Sequence, residues 1–192
     1  TTFTGTVAGT SFNGIPFFTD VPNQSMYTHN VSATDVNAAN NAAYGFLALS
    51  SVTTGDNNVA MGYLAGRLIN SGVQNVLIGG NTGDALLTGE RNVAIGHGAF
   101  SAANGSESRN TAIGWSALAL MDADGNGNNT AVGYNSGAAI TTGTRNTIIG
   151  GLAGDALTTG SQSTFVGYQA GGATTDQSFN TAIGDSALST NV

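Results

Sequence analysis

Residues 58–62 read Asn-Val-Ala-Met-Gly, residues 75–79 Asn-Val-Leu-Ile-Gly and residues 92–96 Asn-Val-Ala-Ile-Gly. Working outward from these three blocks, the same five-residue pattern begins at Asn41 (degenerate), Asn110, Asn129, Asn146, Ser163 and Asn180. The successive intervals are 17, 17, 17, 18, 19, 17, 17 and 17 residues. A period this short cannot hold a pair of helices, and short β-branched runs bounded by Gly, Asn and Thr are strands. At about 3.3 Å per residue, one period closes a coil of two or three short strands and turns. Nine coils stacked about 4.8 Å apart make a rod of roughly 40 Å. The sequence therefore predicts an all-β fold: a β-solenoid, or β-roll, of nine stacked 17-residue coils over residues 41–192.

The columns of the repeat carry the physics. The fifth place is glycine in every copy, at Gly45, Gly62, Gly79, Gly96, Gly114, Gly133, Gly150, Gly167 and Gly184. Glycine fixed at one register position marks a backbone at positive φ or a second backbone passing close by. The first place, held by Asn58, Asn75, Asn92, Asn110, Asn129, Asn146 and Asn180, predicts a ladder of amides bonded from coil to coil, which Ser163 breaks once. The eighth place is nearly always Ala, and the ninth alternates between Gly and a large apolar residue. Alternation along the strand suggests that places two and four, carrying Val, Thr, Ile and Met, fill the coil. Places three and five, mainly Ala and Gly, would then face outward. A strand apolar on both faces is usually buried on both, so this small-residue face predicts a neighbouring chain and a homotrimer of parallel chains. The alternative is a monomeric solenoid whose small-residue face is simply exposed.

Residues 1–40 lack the repeat. They hold both prolines, Pro16 and Pro22, and an apolar cluster of Phe12, Ile15, Phe17, Phe18, Val21, Met26 and Tyr27. Residues 2–9 alternate like a strand. The segment reads as an N-terminal cap or connector, because the end coil of a solenoid exposes an unpaired edge.

Composition excludes several partners. Net charge is −7, there is no lysine, and the only cations are Arg67, Arg91, Arg109 and Arg145. That balance argues against nucleic acid and against anionic membrane surfaces. No apolar run approaches the roughly 18 residues of a membrane span, so no membrane insertion is expected. The absence of cysteine removes disulfides and thiol chemistry.

The stretches NTAIGWSALALMDADGNGNNTAVGY and GFLALSSVTTGDNNVAMGY resemble the repeats of phage tail-fibre and related surface proteins. They are also similar, more distantly, to the repeats in the heads of trimeric autotransporter adhesins. The resemblance covers residues 41–192. It implies an elongated homotrimer on a virion tail, or alternatively on a bacterial cell surface. Its partners would be a host-surface glycan or protein receptor and other fibre or tail proteins. The function expected is that of a structural and adhesive segment of a trimeric tail fibre in host attachment, not an enzyme. The alternatives are an adhesin head or extracellular filament subunit, and a glycan-degrading tailspike.

Three features are candidate sites. The sixth place carries Phe46, Tyr63, Gly80, His97, Trp115, Tyr134, Gly151, Tyr168 and Asp185. Of these, Tyr63, His97, Trp115, Tyr134 and Tyr168 could bind a glycan, because ring faces stack on sugars while Tyr and Trp offer a polar handle. The alternative is that the rings cover the coil or fill a groove between chains. The string Asp122, Asp124, Asn126 has the spacing of the first half of a calcium loop. Gly133 stands where a bidentate Glu is needed, and an acidic Gly-Asn turn is the plainer reading. Otherwise no cofactor is expected. The two long intervals place insertions at residues 103–109 and 121–128, either a protrusion on a binding face or neutral loop variation. The Thr column at Thr111, Thr130, Thr147, Thr164 and Thr181 could suggest ice recognition, but Val59, Val76 and Val93 share it and it reads as buried. His29 and His97 have no patterned partner for catalysis, and Asp84 and Asp155 read as turn residues.

Overall fold

The computed structural model describes residues 37–190 throughout and, before them, four short strands: β1 (Ser11–Phe12), β2 (Ile15–Pro16), β3 (Phe18–Asp20) and β4 (Ser25–Tyr27). Each repeat then contributes one three-residue strand. These are β5 (Ala42–Tyr44), β6 (Val59–Met61), β7 (Val76–Ile78), β8 (Val93–Ile95) and β9 (Thr111–Ile113), followed by β10 (Thr130–Val132), β11 (Thr147–Ile149), β12 (Thr164–Val166) and β13 (Thr181–Ile183). The nine run parallel in one sheet in chain order, and the chain winds about eight turns of a β-solenoid. Register is strict: equivalent places of successive copies face each other, as in Val76↔Val93 and Thr130↔Thr147. The expected all-β solenoid is thus the observed fold. The insertions do not disturb it, since β8, β9 and β10 pair in the same register across the long intervals.

Ahead of the first coil, β4 pairs parallel with β5, and β3 pairs antiparallel with β4, so the sheet continues beyond β5. The side chains of the apolar cluster from Phe12 to Tyr27 lie outside the described residues, as do residues 2–9 and His29.

The coil interior corrects the face assignment made from the sequence. The third place points inward: Ala43, Ala60, Leu77, Ala94, Ala112, Ala131, Ile148, Phe165 and Ala182 are all buried. Places two and four point out, and Met61, Ile149 and Ile183 are 46%, 41% and 69% exposed. The reason is the Asn column. Places one and three share a face of the strand, and the Asn side chains are buried because their amides are bonded inside the coil. With a three-residue strand the interior receives one strand side chain per turn, and both flanking residues turn out.

The amide ladder takes a definite form. Each Asn carbonyl accepts the backbone N–H of the next Asn, as in Asn92 N to Asn75 Oδ1 at 3.0 Å and Asn146 N to Asn129 Oδ1 at 3.0 Å. Most Asn Nδ2 groups donate to the carbonyl closing their own coil, such as Asn58 to Gly72 at 2.8 Å and Asn92 to Glu107 at 2.7 Å, whereas Asn110 and Asn180 donate back to Ser108 and Gln177 in the turn before them. From Asn58 to Asn110 the side chains also bond one another directly. Ser163 keeps the vertical bonds: its N–H donates to Asn146 and its hydroxyl accepts from Asn180 N. Its shorter side chain gives up the bond to the turn ahead.

Volume complementarity explains the ninth place. Wherever the third place is large, the ninth is glycine in the same coil and in the coil before. A Cβ at Gly66 or Gly83 would meet Leu77, one at Gly137 would meet Ile148, and one at Gly171 would meet Phe165. Where the third place is Ala beside another Ala coil, Leu49, Phe100 and Leu118 fill the room and are fully buried. The ninth place is in the left-handed region in every copy, at φ 53° for Leu49 and 57° for Phe100, so glycine there answers to packing rather than to φ alone.

The corner column satisfies both readings of its glycines at once. Gly62 has φ 137°, and a Cβ on it would fall onto the carbonyl group of Gly79 in the next coil. The same holds down the column to Gly167.

Candidate functional site

The corner glycine turns the chain out of the strand, and the sixth place stands just past that corner. Its rings rise in register with the coils. Phe46 and Tyr63 stack with centroids 5.9 Å apart and planes 9° from parallel. His97, Trp115 and Tyr134 form a second stack, with centroid separations of 6.5 and 5.3 Å and planes within 12°. Gly80 separates the two stacks, and Gly151 separates the second from Tyr168. Tyr63, Trp115, Tyr134 and Tyr168 are each about half exposed, and Phe46 more so. They do not fill the core of their own chain, and the half of each ring that is not exposed lies against the coil. Among the described residues, none of these Tyr hydroxyls, the Trp115 indole or the His97 ring makes a side-chain hydrogen bond.

Beside this column lies the outward face of the strands, with Val59, Val76 and Val93 giving way to the five Thr residues at place two, and Tyr44 followed by aliphatic residues at place four. The sequence reading that buried the Thr column is therefore reversed: Thr147 and Thr181 are exposed and the others partly so. Thr occupies five of the nine places, Val three and Ala42 one, so the hydroxyl array covers only part of the face.

The insertions at residues 103–109 and 121–128 are bonded to each other rather than hanging free. Ser108 forms a parallel bridge with Asn126, with Ser108 N donating to Gly125 O at 2.7 Å and Gly127 N to Ser108 O at 3.0 Å. Asp122, Asp124 and Asn126 lie exposed on this turn. Asp124 Oδ1 accepts from both the backbone N and the hydroxyl of Ser106, at 3.3 and 3.4 Å. One of the three expected calcium ligands is thus engaged in tying the two long coils together. Among the described residues no group of three or more His, Asp or Glu side chains is placed to hold a metal ion.

Glu107 is the residue that sequence reasoning missed. Its side chain is fully buried, one carboxyl oxygen accepts from Gly105 N at 3.0 Å, and the other has no hydrogen-bond partner. Burial raises its pKa above the usual carboxylate value, against two backbone hydrogen bonds, and the charges of Asp122 and Asp124 push the same way. Asp84 and Asp155 are also raised, again chiefly by desolvation. The only clue to Glu107 in the sequence is that the 18-residue interval carries an acid at the place where Gly55, Gly72, Gly89, Gly143 and Gly160 stand in other coils.

The fold and this surface define a class: a single-chain stack of 17-residue β-coils with an apolar, partly aromatic outer face. The chain matches no protein-family model, and comparison with curated proteins and with solved structures finds no match.

Proposed function

We propose that the chain is a structural and adhesive segment of a fibrous surface protein, three copies of which run side by side, in the manner of a phage tail fibre attaching to its host. The observation that carries the reading is the outward strand face. It presents a branched aliphatic residue from nearly every coil, in register over nine coils. Contiguous exposed apolar surface of this extent marks an interaction site. A parallel-stacked rod offers that surface along its length, which suits side-by-side association of identical chains. The small-residue face first expected to meet neighbouring chains is inside the coil, so the larger residues of places two and four take its role. The work of the protein is then mechanical and adhesive, without catalysis. An adhesin head would use the same geometry on a bacterial surface.

Absolute mass from light scattering on a sizing column tests this. The expected result is three times the 19.1 kDa chain, reduced to one chain by Ile149→Asp, which changes an outward residue and leaves the core alone. A single-chain mass for the unaltered protein overturns the trimer and the fibre reading with it.

A further inference from the structure

The two interruptions of the ring column are unlike every other glycine column in the molecule. Neither Gly80 nor Gly151 has a positive φ. A Cβ on Gly80 would meet only the edge of the His97 ring, at 3.3 Å, and one on Gly151 only the Tyr168 ring, at 3.7 Å. An exposed ring can yield by the few tenths of an ångström that the first requires. The backbone therefore has no need of glycine at either place, in contrast to the corner column, where a Cβ would strike the next coil. What these two glycines supply is the absence of a ring.

Each gap has a ring on both sides: Tyr63 and His97 flank Gly80, and Tyr134 and Tyr168 flank Gly151. Rings one coil apart stand 5.3–6.5 Å from each other, so the rings flanking an empty place are separated by about two such steps. A flat guest in contact with both faces needs only about 7–8 Å. A saturated ring with out-of-plane substituents fills more of that gap than a flat one. The walls also carry Tyr63, Tyr134 and Tyr168 hydroxyls and the His97 ring nitrogens, none with a side-chain hydrogen bond among the described residues, at the rim of an apolar slot. Apolar ring faces with hydrogen-bonding groups at their edges match a sugar, which pairs a C–H face with peripheral hydroxyls.

We infer that the Gly80 and Gly151 gaps are two binding slots for pyranose rings of a neutral polysaccharide, about 19 Å apart on one face of the rod. The charge of the chain selects neutral sugars: it is −7 overall, and Asp185 follows Tyr168 in the same column, so carboxylated sugars are repelled. The inference rests on the adhesive reading above and names its ligand class.

The test uses an array of neutral and acidic oligosaccharides, followed by titration of a bound neutral glycan. Trp115, the only tryptophan, is one ring away from the wall of each slot and reports occupancy by its fluorescence. The expected result is binding of neutral pyranose glycans and at least a tenfold loss of affinity in Gly80→Phe/Gly151→Phe, with mass and melting temperature unchanged. The inference is overturned if no neutral glycan binds, if only acidic ones do, or if the double variant binds as tightly as the unaltered protein. It is equally overturned if filling the slots alters the mass, which would assign them to packing between copies. The mass of the unaltered protein separates the two readings. A single chain that binds through the slots removes the fibre and keeps the slots, and a trimer indifferent to neutral glycans does the reverse.

Discussion

The Asn column inside the coil and the ring column outside it both place one residue per turn in vertical register, yet they are held for opposite reasons. The inner column is buried and closes hydrogen bonds that the backbone cannot close alone: the Asn N–H above and the turn carbonyl alongside. Its one substitution, Ser163, preserves the acceptor. The outer column is half exposed, satisfies no backbone group, and is interrupted by glycine twice and by Asp185 once. Repetition inside the coil is therefore a condition of folding. Repetition outside is free to vary, and its pattern reports what the surface meets.

The largest effect that would break this contrast is at the corner. Gly114→Val should cost about 4 kcal/mol or more, because it combines an unfavourable φ of 138° with a side chain directed at the Gly133 carbonyl. Urea unfolding would show it, and a loss under about 1 kcal/mol would mean the coils can shift apart. Next comes the core. Leu77→Ala should cost about 3 kcal/mol through the cavity left beside Gly66 and Gly83. Gly83→Ala alone should cost about 2 kcal/mol by overpacking, and the double variant should cost about 1 kcal/mol less than the sum. Additivity in that cycle would contradict the volume rule.

Asn92→Ala should lose about 2 kcal/mol, since it strands the Asn110 N–H and the Glu107 carbonyl in the interior. Asn92→Ser should lose about half as much, as Ser163 already shows that a hydroxyl can take the vertical bond. Equal losses for the two would assign the ladder to its turn carbonyls alone.

A subtler effect concerns pH. Burial raises the Glu107 carboxyl above its unfolded value of 4.5. The folded chain then holds that proton more tightly than the unfolded chain, and stability falls as pH rises from 4.5 through the folded pKa. Glu107→Gln should flatten this part of the melting-temperature profile, and an unchanged slope would shift the effect to Asp84 and Asp155. The smallest effect belongs to the outer column. Tyr168→Ala, with an exposed ring outside both stacks, should change stability by about 0.5 kcal/mol or less, and a larger loss would show that the column is part of the fold.

How much of this was legible in the sequence follows from what sets each feature. The solenoid, its period and its register were readable because Asn and Gly recur at fixed places, and one backbone geometry has to repeat for coils to stack. The in–out assignment is also present in the sequence, but residue size at places two to five points the wrong way. The deciding fact is that place one is a buried amide and place three shares its face. The alternation at place nine carried real information, but it becomes intelligible only when coils are laid on one another, since Gly83 answers to Leu77 and Gly66 to the coil after it. Glu107 was hidden for a different reason: the insertion broke the alignment at the point where an acid had been drawn inside. The ring gaps at Gly80 and Gly151 were visible as interruptions, and only the backbone geometry showed that nothing in the fold requires them.

The packing rule at the ninth place has a consequence for how such a chain can change its length. Repeats of identical backbone invite recombination, which adds or removes a unit in one step. Here the units are not interchangeable. A copy of the Ala94–Phe100 coil sits well beside the Ala112–Leu118 coil, but in place of the Leu77 coil it would leave the space over Gly66 empty. A duplication that carries a large residue at place three must bring a glycine partner with it. The order of the coils is thus inherited as linked pairs, and the rod can lengthen only at junctions where both neighbours keep the interior filled.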